Sequence, residues 1–371
     1  MSAHAAGKGL RLWCGIGGVY YYPRPAQAPA IRGFLDQCAA AGIRTLLPYF
    51  SFFHSGEPAL LRFEDGRRPW DPTAVLAPLR FYAEIGWDPI AFLVDEARRR
   101  GLQVIPYTAP DIDGSCFPNW HSPMGEKLPI LTLTAFANEH PEMWARTAEG
   151  EDSLAVSGYV RMSFGFDEAR AYRAGQLAAA VRRYAGAGIE LEFLAGRGSA
   201  SPFGFETPVV RSFEETYGRP PASAADEEWL RHCAGFTTRF LRELRQALPA
   251  GAILSAAVAG EPAAAYRWGH DWPAWAREGL VDAITLRLMT GDLEAIAGQV
   301  RAARQALGDV VPLVAQLCCW GERRLSTAED ILRAAHIARD AGADAVGIYR
   351  ADGVQALGLW PALRQLAGEG L

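Results

Sequence analysis

The 371-residue sequence contains no run approaching the ~20 consecutive apolar residues needed to cross a bilayer, so it reads as a soluble globular chain. It has no basic stripe either: 37 Lys and Arg are scattered among 42 Asp and Glu, for a formal net charge of -5. Without a cationic face there is little to hold a phosphate backbone, which sets nucleic acid aside as a partner. The cysteines Cys14, Cys38, Cys116, Cys233, Cys318 and Cys319 fall at irregular spacings, which excludes a disulfide framework. Cys318-Cys319 is adjacent rather than CxxC and has no histidine near it, so no zinc site is expected there. There is no Walker sequence, and Gly15, Gly17 and Gly18 run into Tyr20-Tyr21-Tyr22-Pro23 instead of a helix start, which excludes a nucleotide loop. HExxH spacing is absent as well. The segment EHPEMW at 139 to 144 places His140 between glutamates without it, so neither metal nor cofactor is expected. The opening MSAHAAGKGLRLW lacks the apolar stretch of a secretion signal, and a cytoplasmic location is expected.

What the sequence does have is alternation. Half of its residues are hydrophobic, and short runs rich in Val, Ile, Leu and aromatics alternate with helix-period segments. Strands are expected at 11 to 21, 44 to 50, 102 to 108, 189 to 194, 252 to 259, 282 to 288, 311 to 317 and 344 to 350. Helices are expected at 30 to 41, 88 to 100, 167 to 186, 226 to 247, 292 to 307 and 327 to 341, several opening on Asp, Ser or Thr and closing on Gly. The phrases AAAGIRTLL, ARRRGLQVI and ARDAGADAV each put a glycine just past a helix and a strand within a few residues. Eight strands with short helix-to-strand turns predict an α/β fold, a single (β/α)₈ barrel domain spanning 1 to 371. The loops on the other side are long, at 51 to 87, 109 to 166 and 195 to 225, and show no obvious second core. In such barrels the carboxyl ends of the strands build the site.

The segment Gly188-Ile189-Glu190-Leu191-Glu192-Phe193 is the most informative. Strand alternation puts Glu190 and Glu192 on one side, and Ile189, Leu191 and Phe193 on the other. With the apolar set against the helices, both glutamates aim into the barrel, Glu192 nearer the mouth. Two readings stand: an arginine such as Arg161 or Arg287 neutralises them structurally, or they do chemistry. Glu261 follows the next strand, either as a second carboxylate at the mouth or as a solvated loop residue. Two carboxylates are the minimum equipment for glycoside hydrolysis, with Glu192 and Glu261 as the pair and Glu190 assisting. Around them, His54, Tyr107, Asp111, Asp113, Trp120, His121, Arg287, Gln316, Trp320, Tyr349, Arg350 and Asp352 gather at strand ends or in the long loops. Hydrogen-bonding groups mixed with aromatic faces suit a carbohydrate or glycoside, though any one of these aromatics serves equally as core.

The segments DPIAFLVDEARRRGLQVIPYTAPD, ANEHPEMWARTAEG, RRYAGAGIELEF, FEETYGRPPASAADEEWLRHCAGFTTRFLRELRQAL and WAREGLVDAITLRL carry a likeness over residues 32 to 352. In them the chain resembles the TIM-barrel glycosyl hydrolases of the glycoside hydrolase family 10-like and hypothetical glycosyl hydrolase 6-like type. The resemblance implies a glycosidase whose catalytic carboxylate ends the matching strand. Relatives carry Asp there, often followed by a second Asp, where this chain has Glu192 and Phe193. It also implies that Pro141 and Trp144 are structural parts of a loop shaping the mouth. Other functions open on the same residues are a metal-dependent sugar isomerase or epimerase and a non-catalytic carbohydrate-binding barrel.

Overall fold

The protein is seen in a computed structural model that describes residues 9–15, 18, 25–50, 59–63, 86–121, 127–184, 186–194, 201–321 and 324–370. Of residues 59–63, 115–121 and 127–132 only the backbone is described.

Parallel strands β1 (Arg11–Cys14), β2 (Thr45–Pro48), β3 (Gln103–Val104 and Tyr107–Thr108), β4 (Gly188–Glu192), β5 (Ile253–Val258), β6 (Ala283–Leu288), β7 (Leu313–Cys318) and β8 (Ala345–Tyr349) form the barrel. The first half of β3 pairs with β2, and the second half pairs with β4. From β2 the ladder runs through β1, β8, β7, β6 and β5 to β4. The two halves of β3 are one stretch of chain, so the sheet closes on itself. Pro106, which has no N–H to give to a ladder, lies between the halves, and pairing continues around it through the Tyr49–Tyr107 bridge and the bond from Ala187 N to Val104 O (3.2 Å). The Pro106 carbonyl still accepts from Glu190 N (2.9 Å), while Ile105 N donates to Leu46 O (2.9 Å).

Each barrel strand has one apolar side. Ile189, Leu191 and Phe193 of the β4 segment pack with the helices, as do Leu254, Ala256 and Val258 of β5 and Leu313, Ala315 and Leu317 of β7. The surrounding helices include α1 (Ala28–Ala40), α2 (Pro89–Arg99), α3 (Asp167–Tyr184), α4 (Glu227–Ala247), α5 (Trp272–Arg277), α6 (Leu293–Leu307), α7 (Ala328–Asp340) and α8 (Trp360–Gly368). Asp88, Asp226 and Asp292 cap the N-termini of α2, α4 and α6, and Thr327 with Asp330 forms a capping box on α7. Gly42, Gly101 and Gly342 follow α1, α2 and α7 at φ of 73°, 72° and 112°, the left-handed conformation that turns each helix end toward its strand. Among the described residues no helix is long and apolar enough to cross a membrane.

One expectation needs correction. The 109–166 segment, expected to be a loop without a core, builds an antiparallel sheet in the order Ala59–Phe63, Lys127–Thr134, Ile112–His121, Tyr159–Arg161. A small apolar cluster, Leu133, Ala137, Met143, Trp144, Val160, Met162 and Ala169, backs it. Trp144 Nε1 donates to Ala137 O (2.8 Å), so this indole is structural. His140 meets Glu142 (3.0 Å) on the outside. The base of the excursion is tied down by Arg173, whose guanidinium donates to the carbonyls of Ala109 and Pro110 (2.8 Å each) and pairs with Asp113 at 3.2 Å.

Candidate active site at the barrel mouth

The glutamates of β4 aim inward, at two depths. Glu190 lies in the barrel floor with no solvent exposure. Trp13 Nε1, across the barrel on β1, donates to its Oε1 (2.8 Å), and Thr285 Oγ1 (2.7 Å) and Ser255 Oγ (3.1 Å) donate to Oε2. Burial raises its pKa, opposed by the Arg11 charge and by these three donors. Both oxygens are engaged below the mouth, so the expected assisting carboxylate is a floor residue.

Glu192 stands one layer higher, 6% exposed. Its Oε1 is 3.0 Å from Arg287 Nη2 in an ion pair that lacks hydrogen-bond alignment, and Oε1 has no hydrogen-bond partner among the described residues. The neutralising arginine is thus Arg287, on β6. Arg161 pairs instead with Asp111 (Nη1 to Oδ2, 2.5 Å). That contact follows from the excursion, where Ile112 and Arg161 are register partners and Met162 N donates to Asp111 O. Tyr349, at the end of β8, hydrogen-bonds Tyr107 of β3, and burial followed by the Glu192 charge raises its pKa.

Asp111, Arg161 and Arg287 line one cavity of about 720 Å³ together with His270, a size within the ~300–1,000 Å³ of small-ligand sites. His270 follows β5, and its ring centroid lies 4.9 Å from that of Phe193. Burial pushes its pKa down to about 3, with the Asp111 charge opposing and those of Arg161 and Arg287 adding. Sequence reasoning missed this histidine, although its loop follows a barrel strand like the loops that were searched. It also missed Glu206, a buried carboxylate on the same lining. Glu206 accepts from Arg146 N (2.5 Å) and Ser163 Oγ (2.8 Å), tying the excursion to the loop before the helix Thr207–Tyr217. Its place just ahead of a Thr-Pro helix start is a signal the sequence did offer.

The other expected residues disperse. Glu261 is exposed at the head of the short helix Pro262–Ala265, just past Gly260 at φ 78°, and does not line the cavity. Asp113 is fully buried against Arg173, as a latch of the excursion. Gln316 is enclosed in the barrel, in register with Arg287, and neither of its polar atoms has a partner among the described residues. Trp320 is 47% exposed, with the Arg350 guanidinium 4.9 Å over its ring, and Asp352 grips that guanidinium through two hydrogen bonds (2.6 and 2.7 Å). His54 lies outside the described residues, as do the side chains of Trp120 and His121. Among the described residues no group of three or more His, Cys, Asp or Glu could hold a metal ion.

A closed (β/α)₈ barrel with charged side chains collected at its mouth is the architecture of TIM-barrel glycoside hydrolases. The chain belongs to the glycosyl hydrolase-like 10 family, which matches residues 76–322. No curated protein matches the sequence. Among solved structures, it is similar to the PgaB (BpsB) glycoside hydrolase domain from Bordetella bronchiseptica, with a TM-score of 0.66, 14% identity, and 97% of this chain and 99% of that one covered. A beta-galactosidase from Marinomonas ef1 gives 0.63 at 14% identity, covering 97% and 59%. A chitinase from Bacteroides thetaiotaomicron gives 0.50 at 10% identity, covering 97% and 96%. At these identities the likeness is one of fold.

Proposed function

We propose that this barrel is a glycoside hydrolase or transglycosidase in which Glu192 is the principal carboxylate and Asp111, rather than Glu261, is its partner. The observation that carries the reading is Glu192 at the carboxyl end of β4, aimed inward and touching an arginine that lines the cavity. As the anion of that pair, Glu192 stabilises positive charge developing at an anomeric carbon, or attacks it directly. Asp111, on the lining of that cavity, handles the proton of the leaving oxygen or of water. Tyr107, Tyr349 and His270 supply hydrogen bonds to hydroxyls, and Trp320 supplies a ring face.

A second reading, a carbohydrate-binding barrel without turnover, is favoured by one observation: both carboxylates are held in ion pairs. Hydrolysis of a panel of aryl glycosides and oligosaccharides by the intact protein, Glu192→Gln, Asp111→Asn and Glu261→Gln decides between them. The hydrolase reading expects losses of about 10²–10⁴-fold in kcat for the first two variants and none for Glu261→Gln. Sugar binding without cleavage by the intact protein establishes the binding barrel. Activity abolished by a chelator favours the isomerase or epimerase.

A further inference from the structure

The cavity beside Glu192 has an uneven supply of charge. Arg161, Arg267 and Arg287 all line it. The two carboxylates on the same lining are already committed, Asp111 to Arg161, and Glu206 to a backbone N–H and the Ser163 hydroxyl. Burial raises the pKa of Glu206, which further weakens it as a counter-charge.

The guanidinium groups, by contrast, have donors to spare. Each carries five N–H groups. Arg161 spends Nη1 on Asp111 and Arg287 approaches Glu192 through Nη2, while Nε of both is buried with no acceptor among the described residues. Arg267 is exposed at the edge of the cavity, and its guanidinium has no ion-pair partner among the described residues. The field of Arg161 and Arg287 is also felt by His270, whose protonation they oppose. Phe193, Phe203 and Trp268 add apolar ring surface to the same lining.

We propose that this cavity selects a sugar bearing a carboxylate, of which a uronosyl unit is the simplest: Arg267 draws in the charge, Arg161 and Arg287 hold it, and the aromatic surface covers the ring. A planar carboxylate matches the guanidinium fork. The proposal rests on the reading that the mouth accepts a carbohydrate.

The test is calorimetric titration of the intact protein with oligosaccharides of glucuronic, galacturonic, mannuronic and guluronic acid, each beside its carboxyl-reduced neutral counterpart. At least one acidic ligand is expected to bind about tenfold or more tightly than its neutral twin. That advantage is expected to shrink with added salt and in Arg267→Ala, and to survive in part in Arg267→Lys. If no acidic ligand exceeds its neutral twin, or if Arg267→Ala leaves the preference intact, the proposal is overturned. Cleavage is followed on the same panel. Acid-selective binding without cleavage preserves this inference and removes the hydrolase, whereas cleavage of neutral glycans with no preference for acid does the reverse.

Discussion

His270 shows what burial does to one titratable ring. In the native protein its pKa lies at about 3, whereas an unperturbed histidine titrates near 6.5. Between those values the unfolded chain holds one more proton than the folded one, so the residue's contribution to stability is lost as pH falls from about 6.5 toward about 3. Replacing it with Asn removes that titration. Thermal unfolding followed from about pH 7 downward should decline less steeply in His270→Asn than in the parent, and parallel slopes would reject the assignment. Residues of this kind were only partly legible in the sequence. Strand alternation led directly to the inward aim of Glu190 and Glu192, because a β-strand has two sides and only one could be apolar. The depth of each was not legible, since it depends on what lies across the barrel, namely Trp13 and Thr285 for Glu190 and Arg287 for Glu192. Glu261 is exposed at the head of Pro262–Ala265 and off the lining of the cavity, and an acid directly after a strand carries no local sign of how far it stands from the site.

Among the elements, two glycines make opposite predictions. A Cβ on Gly188 would lie 1.9 Å from the carbonyl oxygen of Ile253, and the surrounding atoms are backbone, so β4 and β5 cannot pair as they do. Gly188→Ala should destabilise by about 1–3 kcal/mol or more. Gly298 lies inside α6 with open space where a Cβ would go, and Gly298→Ala should stabilise by about 0.5–1 kcal/mol. Urea unfolding of both variants checks the pair, and equal midpoints would contradict it. The helices and the αβ turns were readable because amphipathic period, caps and glycine stops are local properties. The antiparallel excursion was not. Its strand Ile112–His121 contains Gly114, Pro118 and Asn119, all poor strand formers, and pairing with distant partners holds it together rather than its own propensity.

For the whole molecule the decisive feature is closure. β3 has the shortest ladders of the barrel strands, two register pairs on each side, with Pro106 and its missing N–H between them. Opening should therefore begin there. In hydrogen exchange, the amides of Ile105 and Glu190, which bond across the two sides of β3, should exchange faster than that of Phe193, bonded to Ala257 O between β4 and β5. Equal protection on all three would mean that the short ladders of β3 cost the barrel nothing.

The excursion grows from the end of that same β3, with Asp111 three residues beyond the last ladder position and Arg173 clamping its first carbonyls. It is a handle fixed to the one stave that closes the hoop. A ligand that spans Arg161 on the handle and Arg287 on β6 is therefore expected to slow exchange at the amides of Ile105 and Glu190, and unchanged exchange on saturation would contradict this.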